Sequence, residues 1–400
     1  MSEHTEPAEG RGRHDGLLLT LLRDRGNLSR TDLASAARLS PATITKAVGS
    51  LLDRGLVREQ EVASSAGIGR PAVGLVPVVN AVRVCGVLLG SGLVELGVVN
   101  AAGETQDTWT LEFDVAEPAE AVLDRIADEI AALPEDAAGA ALIGIGVGVP
   151  GPVDPHRRRN LLSVNLGWRD VPIADHLERR LGIRTVVDQS VRAMAIGELR
   201  HGDCRPDGNL AFVYVGTGVG LGVVLRGVPF YGGTHGLTAL GHLKVVDNGR
   251  LCGCGARGCL ETEVSVPRLR QRLAEVTGDA VRIDCQAAEG GLLRVLERSA
   301  AEGHPAGIQL REDIVRHLST GLVSVVNLFN PGLIRLGGVF SNAPESLFDS
   351  LHQRLVTEVF TVLRDDLRIE RPVNGFDAGT VGCATLALEA LHYRTIAMTH

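Results

Sequence analysis

The run "GHLKVVDNGRLCGCGARGCLE", Gly241 to Glu261, constrains this chain more than any other stretch. It places Cys252, Cys254 and Cys259 within eight positions and sets His242 ten residues ahead of the first of them. One imidazole and three thiolates form a soft N/S donor set suited to tetrahedral Zn²⁺. Four protein ligands leave no open coordination position, so a zinc held here is structural and not a catalytic Lewis acid. Gly253, Gly255 and Gly258 let the loop close tightly about an ion. The chain has seven cysteines, an odd number, and the other four (Cys85, Cys204, Cys285 and Cys383) are scattered. That count argues against a disulfide framework and favours metal binding over a reduced cysteine-rich turn without metal.

The chain's 400 residues leave room for more than one domain, and 44% apolar content supports a large core. A net charge of −8 argues against a nucleic-acid binder when taken as an average. The average conceals a split. Residues 11–78 carry ten Arg/Lys against six Asp/Glu, whereas the rest is acidic. A small nucleic-acid module joined to an acidic body accounts for that asymmetry. The opening "MSEHTEPAEG" lacks the basic and apolar segments of a secretory signal, and no apolar run of membrane-spanning length follows. The expectation is a cytoplasmic protein with no membrane partner.

Residues 1–13 read as a disordered tail and 14–78 as a winged helix-turn-helix. Leu17, Leu18, Leu21 and Leu22 recur at helical spacing and stop at Gly26. Ser29 caps a second helix, with Asp32 at its third position. Ser40 and Pro41 open a third, whose apolar stripe is Ile44, Ala47, Val48, Leu51 and Leu52. Thr43, Lys46 and Ser50 occupy its other face, with Thr45 at the boundary. This third helix enters the major groove by its first turn, where Thr43, Thr45 and Lys46 reach bases or phosphates. A strand, a Gly/Ser-rich tip and a second strand then form a wing, and Arg70 at the tip is placed to enter the minor groove.

Residues 79–400 alternate strands, glycine turns and helices, which reads as two α/β lobes around a cleft. The turn "VGTGVGLG" fits either a phosphate-binding loop or a tight hairpin. "GTVGCATLALEAL" reads as a closing helix with small residues at its start. This body is expected to fold without the first 78 residues.

Together these features resemble the ROK family, whose name joins repressors, uncharacterised open reading frames and sugar kinases. The resemblance covers nearly the whole chain. It rests on the cysteine run, G-H followed by C-x-C-G-x-x-G-C-x-E, and on "VPGPVD", "NLGWRDVPI", "VGTGVGLGVVLRG" and "NPGLIRLGG". It implies an actin-like, sugar-kinase fold behind an N-terminal winged helix, and a homodimer or homotetramer meeting a two-fold, double-stranded operator.

Departures from the family's kinase pattern decide the expected function. Leu88 stands where the kinases' first strand turn carries an acid. Ser190 stands at the catalytic aspartate, Gln189 at the asparagine before it, and Ala239 at a sugar-clamping glutamate. A sugar kinase needs a carboxylate to accept the hydroxyl proton, and serine lacks the basicity. Asn165, Gln189, Arg192, His242 and Glu261 remain to hold a sugar or sugar derivative. Arg192 is open to two readings: it contacts an anionic effector, or it pairs with an acid such as Asp188 or Glu198. The expected function is a DNA-binding transcriptional regulator, a repressor first, and not an enzyme. A hexose kinase, and a regulator with a vestigial cleft, are the alternatives.

Overall fold

A computed structural model of the chain describes residues 8–61, 73–134, 139–205, 208–277 and 289–393. The N-terminal unit comprises α1 (Ala8–Arg25), β1 (Leu28–Ser29), α2 (Arg30–Ala37), α3 (Pro41–Asp53), β2 (Val57–Glu61) and β3 (Val73–Pro77). α1 starts at Ala8, six residues inside the stretch read from sequence as a disordered tail. The capping expected from sequence is present. Ser29 and Asp32 form a reciprocal capping box on α2. The Ser40 hydroxyl accepts the Thr43 N–H at 3.2 Å on α3, with Pro41 in the first turn. The strands form an antiparallel sheet in the order β1-β3-β2, which gives the three helices their wing. Leu18, Leu19, Leu22, Leu33, Ile44, Val48, Leu51 and Leu75 fill the centre. Leu17, expected on the apolar stripe of α1, faces outward, and Leu19 takes the inward position.

The first lobe contains β4 (Val82–Leu89), β5 (Leu93–Asn100), β6 (Thr105–Glu112), α4 (Ala119–Ala131), β7 (Ala141–Val149), β8 (Asn160–Ser163), β9 (Trp168–Val171), α5 (Ile173–Leu181) and β10 (Thr185–Gln189). Its main sheet has the order β10-β7-β4-β5-β6. β4, β5 and β6 form an antiparallel meander, and β7 and β10 add in parallel.

The second lobe contains α6 (Ser190–His201), β11 (Leu210–Val215), β12 (Val219–Leu225), β13 (Val228–Pro229), α7 (Glu261–Val264), α8 (Val266–Thr277), α9 (Glu289–Ala301), α10 (Pro305–Phe329), β14 (Leu333–Gly338), α11 (Glu345–Glu358) and β15 (Arg368–Glu370). Its sheet, β13-β12-β11-β14-β15, repeats the plan of the first: an antiparallel meander of three, then parallel strands. The "VGTGVGLG" turn joins β11 to β12 as a hairpin in which Gly216 N–H bonds Gly218 C=O at 2.9 Å. The hairpin that the sequence allowed is present.

The chain closes with α12 (Ala378–Ala387), continued by a wider helical turn over Leu388–His392. The small residues at its start permit very close approach to β4, β7 and α6. A Cβ on Gly86 would lie 2.0 Å from the Thr380 carbonyl oxygen, and one on Gly146 would lie 1.7 Å from that of Cys383. Neither space admits a side chain.

The far end of this helix meets the N-terminal unit. Val82, Val84, Val99, Val381, Ala384, Leu388 and Tyr393 belong to the same apolar cluster as Leu18, Leu51 and Leu75. Glu389, 1% exposed, pairs with Arg23 of α1 and lies 3.1 Å from Arg200 of α6. Arg23 also stacks over the Tyr393 ring at 4.3 Å, and the Tyr393 hydroxyl donates to the Ala101 carbonyl at 2.7 Å. The winged helix and the body therefore share a core. The expectation that the body folds alone overlooked this: removing residues 1–78 would strip the cover from one face of α12.

His201 and His392 sit at this junction. Burial first, and then nearby arginines, push both imidazoles down to about 4. A histidine with a lowered folded pKa contributes its stability fully above about pH 6.5 and loses it as pH falls toward 4. Thermal unfolding between pH 7 and 4 is expected to show stability falling with acid. Each histidine adds at most roughly 1.4 kcal/mol per pH unit to the slope. His201→Gln should flatten it, and an unchanged slope in that variant would count against this assignment.

Candidate functional site

The exposed face of α3 carries Thr45, Lys46 and Ser50, while Ile44, Ala47, Val48 and Leu51 are buried. Thr43 is half-buried, and its hydroxyl lies 2.9 Å from that of Ser40 at the cap. The Thr45 hydroxyl donates back to the Pro41 carbonyl at 2.9 Å. The first-turn hydroxyls thus have local partners, which fixes their orientation on the outer face. Arg70 lies outside the described residues.

The cysteine run follows β13. Leu240–His242 form a short helical turn that ends on His242, and the chain then folds into a small knuckle. Cys252 N–H bonds Ala256 C=O at 2.8 Å, and Gly258 N–H bonds Arg250 C=O at 2.9 Å. Gly258 adopts φ +77° and passes so close to Val246 that a Cβ would lie 1.8 Å from its carbonyl oxygen. The side chains of His242, Cys252, Cys254 and Cys259 converge, with one donor atom of each within 4.8 Å of the others. Cys254 Sγ and Cys259 Sγ are 3.8 Å apart, and Cys252 Sγ is 3.6 Å from His242 Nδ1. A tetrahedral zinc with Zn–S of ~2.3 Å and Zn–N of ~2.0–2.1 Å requires S···S of about 3.8 Å and S···N of about 3.6 Å. The donor spacing fits such an ion.

Two residues beyond Cys259, Glu261 opens α7 and turns toward the β11–β12 hairpin. Its Oε2 accepts the Val219 N–H at 3.1 Å. A Cβ on Gly218 would meet Glu261 Oε2 at 2.8 Å and Asn165 Nδ2 at 3.0 Å, so Asn165 and Glu261 converge on this turn. Gln189, at the end of β10, is 6% exposed, and its Oε1 has no hydrogen-bond partner among the described residues.

Arg192 is differently employed. It is 4% exposed, its Nε donates to Asp188 Oδ1 at 2.9 Å, and its guanidinium stacks 4.2 Å over the Tyr231 ring. Arg157 approaches the same carboxylate at 3.6 Å, and the Tyr231 hydroxyl donates to it at 3.1 Å. Burial alone would raise the Asp188 carboxyl, but Arg192 and Arg157 outweigh it and hold the group below the usual range. Arg192 thus pairs with Asp188, one of the two acids named for it from sequence. Arg157 and Tyr231 escaped sequence reading, because nothing in "PHRRRN" or "PFYGG" shows that they meet β10.

Two of the positions that differ from the kinase pattern lie at the cleft between the lobes. Leu88 is the penultimate residue of β4 and Ser190 begins α6, and both line the cavity there. Ala239 immediately precedes the turn that ends on His242. Neither leucine, serine nor alanine supplies a carboxylate to take a proton or arrange a metal.

The ROK family sequence profile matches residues 84–390, and a MarR family profile matches residues 14–62. The chain is 28% identical over 380 residues to a putative xylose repressor of Caldicellulosiruptor, covering 93% of this chain and 94% of that one. It is 28% identical over 314 residues to a glucokinase of Thermotoga maritima, covering 77% of this chain and 98% of the kinase. Among solved structures, a ROK family transcriptional regulator described as a homologue of E. coli Mlc superposes with a TM-score of 0.78 at 26% identity, covering 96% of this chain and 97% of that one. No helix among the described residues is long and apolar enough to cross a membrane. The chain thus joins a winged-helix unit to a two-lobed, sugar-kinase-like body, and it belongs to the ROK family.

Proposed function

We propose that this protein is a transcriptional repressor that binds operator DNA through α3 and its wing, and that its body holds a sugar or sugar derivative without phosphorylating it. One observation carries the reading. Leu88, Ser190 and Ala239 remove three carboxylates from a kinase-like cleft, in a chain that keeps a capped, amphipathic α3 on a winged helix. The end-to-end likeness to a repressor, against a kinase match that covers 77% of the chain, supports it.

Asn165, Glu261 and the carbonyl oxygen of Gln189 offer the hydrogen-bonding groups that a polyol needs. His242 ties that corner to a zinc ion held with Cys252, Cys254 and Cys259. When bound, the ion supplies rigidity, since four protein ligands complete its tetrahedron. A signal from the cleft has a direct route outward. α12 begins with Ala378 and Gly379 on the cavity wall and continues to Glu389, which pairs with Arg23 of α1. A cytoplasmic homodimer or homotetramer would present two winged helices to a two-fold operator.

Three outcomes are expected. Metal analysis of freshly purified protein should find about one zinc per chain, the number of complete four-donor sites, and Cys254→Ala should lose it. Protein without zinc would overturn the metal assignment. ATP-dependent phosphorylation of glucose or xylose should stay at background. Turnover that disappears in Ser190→Ala would instead make the protein a kinase. Lys46→Ala should weaken binding to all DNA sequences and reduce the salt slope by about one unit if Lys46 meets a phosphate. Contact with guanine should instead concentrate a loss of about 1–3 kcal/mol at one base position. DNA binding that is indifferent to both Lys46→Ala and Ser50→Ala would remove α3 from the interface.

A further inference from the structure

The three thiols of the knuckle are not equivalent. Cys252 and Cys259 are 4% and 1% exposed, whereas Cys254 is open to solvent. Among the described residues it is the only exposed cysteine: Cys85 and Cys383 are buried and Cys204 is half-buried.

The backbone adds a second difference. Cys259 is anchored. It bridges Lys244 in antiparallel fashion, and its carbonyl accepts the Thr262 N–H at 3.0 Å. The next N–H, that of Leu260, bonds Leu243 C=O at 2.8 Å. Cys254 sits at the tip, between Gly253 and Gly255. Gly255 adopts φ +89°, and a Cβ there would meet nothing within 4 Å. The tip therefore has room to shift, while the strand bearing Cys259 does not. Cys254 Sγ already lies 3.8 Å from Cys259 Sγ. A disulfide needs ~2.0 Å between its sulfurs, so the tip has roughly 1.8 Å to close. Cys252, the remaining thiol, is buried beside His242, with its Sγ 3.6 Å from Nδ1.

We infer that Cys254 is a peroxide-sensitive modification site, which pairs with Cys259 on oxidation and so releases the metal. The inference rests on the zinc reading proposed above. When bound, zinc keeps a coordinating thiol deprotonated, and the thiolate is the form that attacks. The Cys254 thiolate attacks one oxygen of the peroxide. An S–O bond forms, the O–O bond breaks, and hydroxide leaves. The Cys259 thiolate then attacks the Cys254 sulfur. The S–S bond forms, the S–O bond breaks, and a second hydroxide leaves. With hydrogen peroxide and two protons the balance is one disulfide and two waters, the two electrons passing from the thiolates to the peroxide. His242 and Cys252 are then the only donors left, too few for a tetrahedral site. The segment that ends in Glu261 loses the rigidity the ion gave it. A dithiol reductant and fresh zinc reverse the change.

The test treats freshly purified full chain with a modest molar excess of hydrogen peroxide. A chromogenic chelator follows zinc release against untreated protein, and mass spectrometry of thiol-blocked peptides maps the disulfides. About one zinc per chain should be released, in step with a Cys254–Cys259 disulfide. Dithiothreitol and added zinc should restore the starting state. Cys254→His keeps four N/S donors but removes the exposed thiol, so its release should slow roughly tenfold or more. Should that variant hold no zinc, the disulfide map of the unaltered chain decides alone. A chain with Cys204→Ser and Cys285→Ser should behave like the parent. Retention of zinc under peroxide would overturn the inference and leave the metal reading standing. So would a disulfide through Cys252, Cys204 or Cys285 in place of the Cys254–Cys259 pair, or parental release from zinc-loaded Cys254→His. Protein that holds no zinc before peroxide would overturn the metal reading, and this inference with it.

Discussion

Burying a carboxylate costs several kcal/mol unless cations meet it, and Glu389 is 1% exposed at the seam between two domains. Arg23 reaches it from the winged helix and Arg200 from the second lobe, so the buried charge ties the two together. The Tyr393 ring closes over Arg23, and the apolar cluster around it draws side chains from α1, α3, β3, β4 and α12. The orientation of the DNA-binding unit is set by this contact and not by a linker. Because α12 touches the cavity at one end and α1 at the other, a change in the cleft has a rigid element through which to act.

The cysteine knuckle imposes the second constraint. It holds His242 and, two residues past Cys259, Glu261. That places a carboxylate on the β11–β12 hairpin at the site where Asn165 also arrives. The soft donors therefore shape the corner where Asn165 and Glu261 meet. Leu88 and Ser190 line the cavity between the lobes, and neither supplies a carboxylate.

Much of this was legible in the sequence where local rules decide. The caps at Ser29 and Ser40, the stripe of α3 and the donor set His242–Cys259 depend on spacing alone, and each is present. The small residues opening α12 announced a close approach without saying to what. What escaped notice depends on long-range pairing. Arg192 and Asp188 are four residues apart and their pairing could be entertained, but Arg157 and Tyr231 join them from 31 and 43 residues away. Arg23 and Glu389 lie 366 residues apart, and no periodicity in either helix marks them as partners. Leu17 and Leu19 exchanged places because a leucine run satisfies helical spacing in more than one register.

Native-state hydrogen exchange on the full chain tests the shared core most directly, by comparing the amides of α1 and α3 with those of α12. If the core is common, the slowest amides of all three helices open with the same free energy, and Glu389→Gln lowers that free energy in all of them together. Amides of α1 and α3 that open independently of α12, and are untouched by Glu389→Gln, would contradict the account.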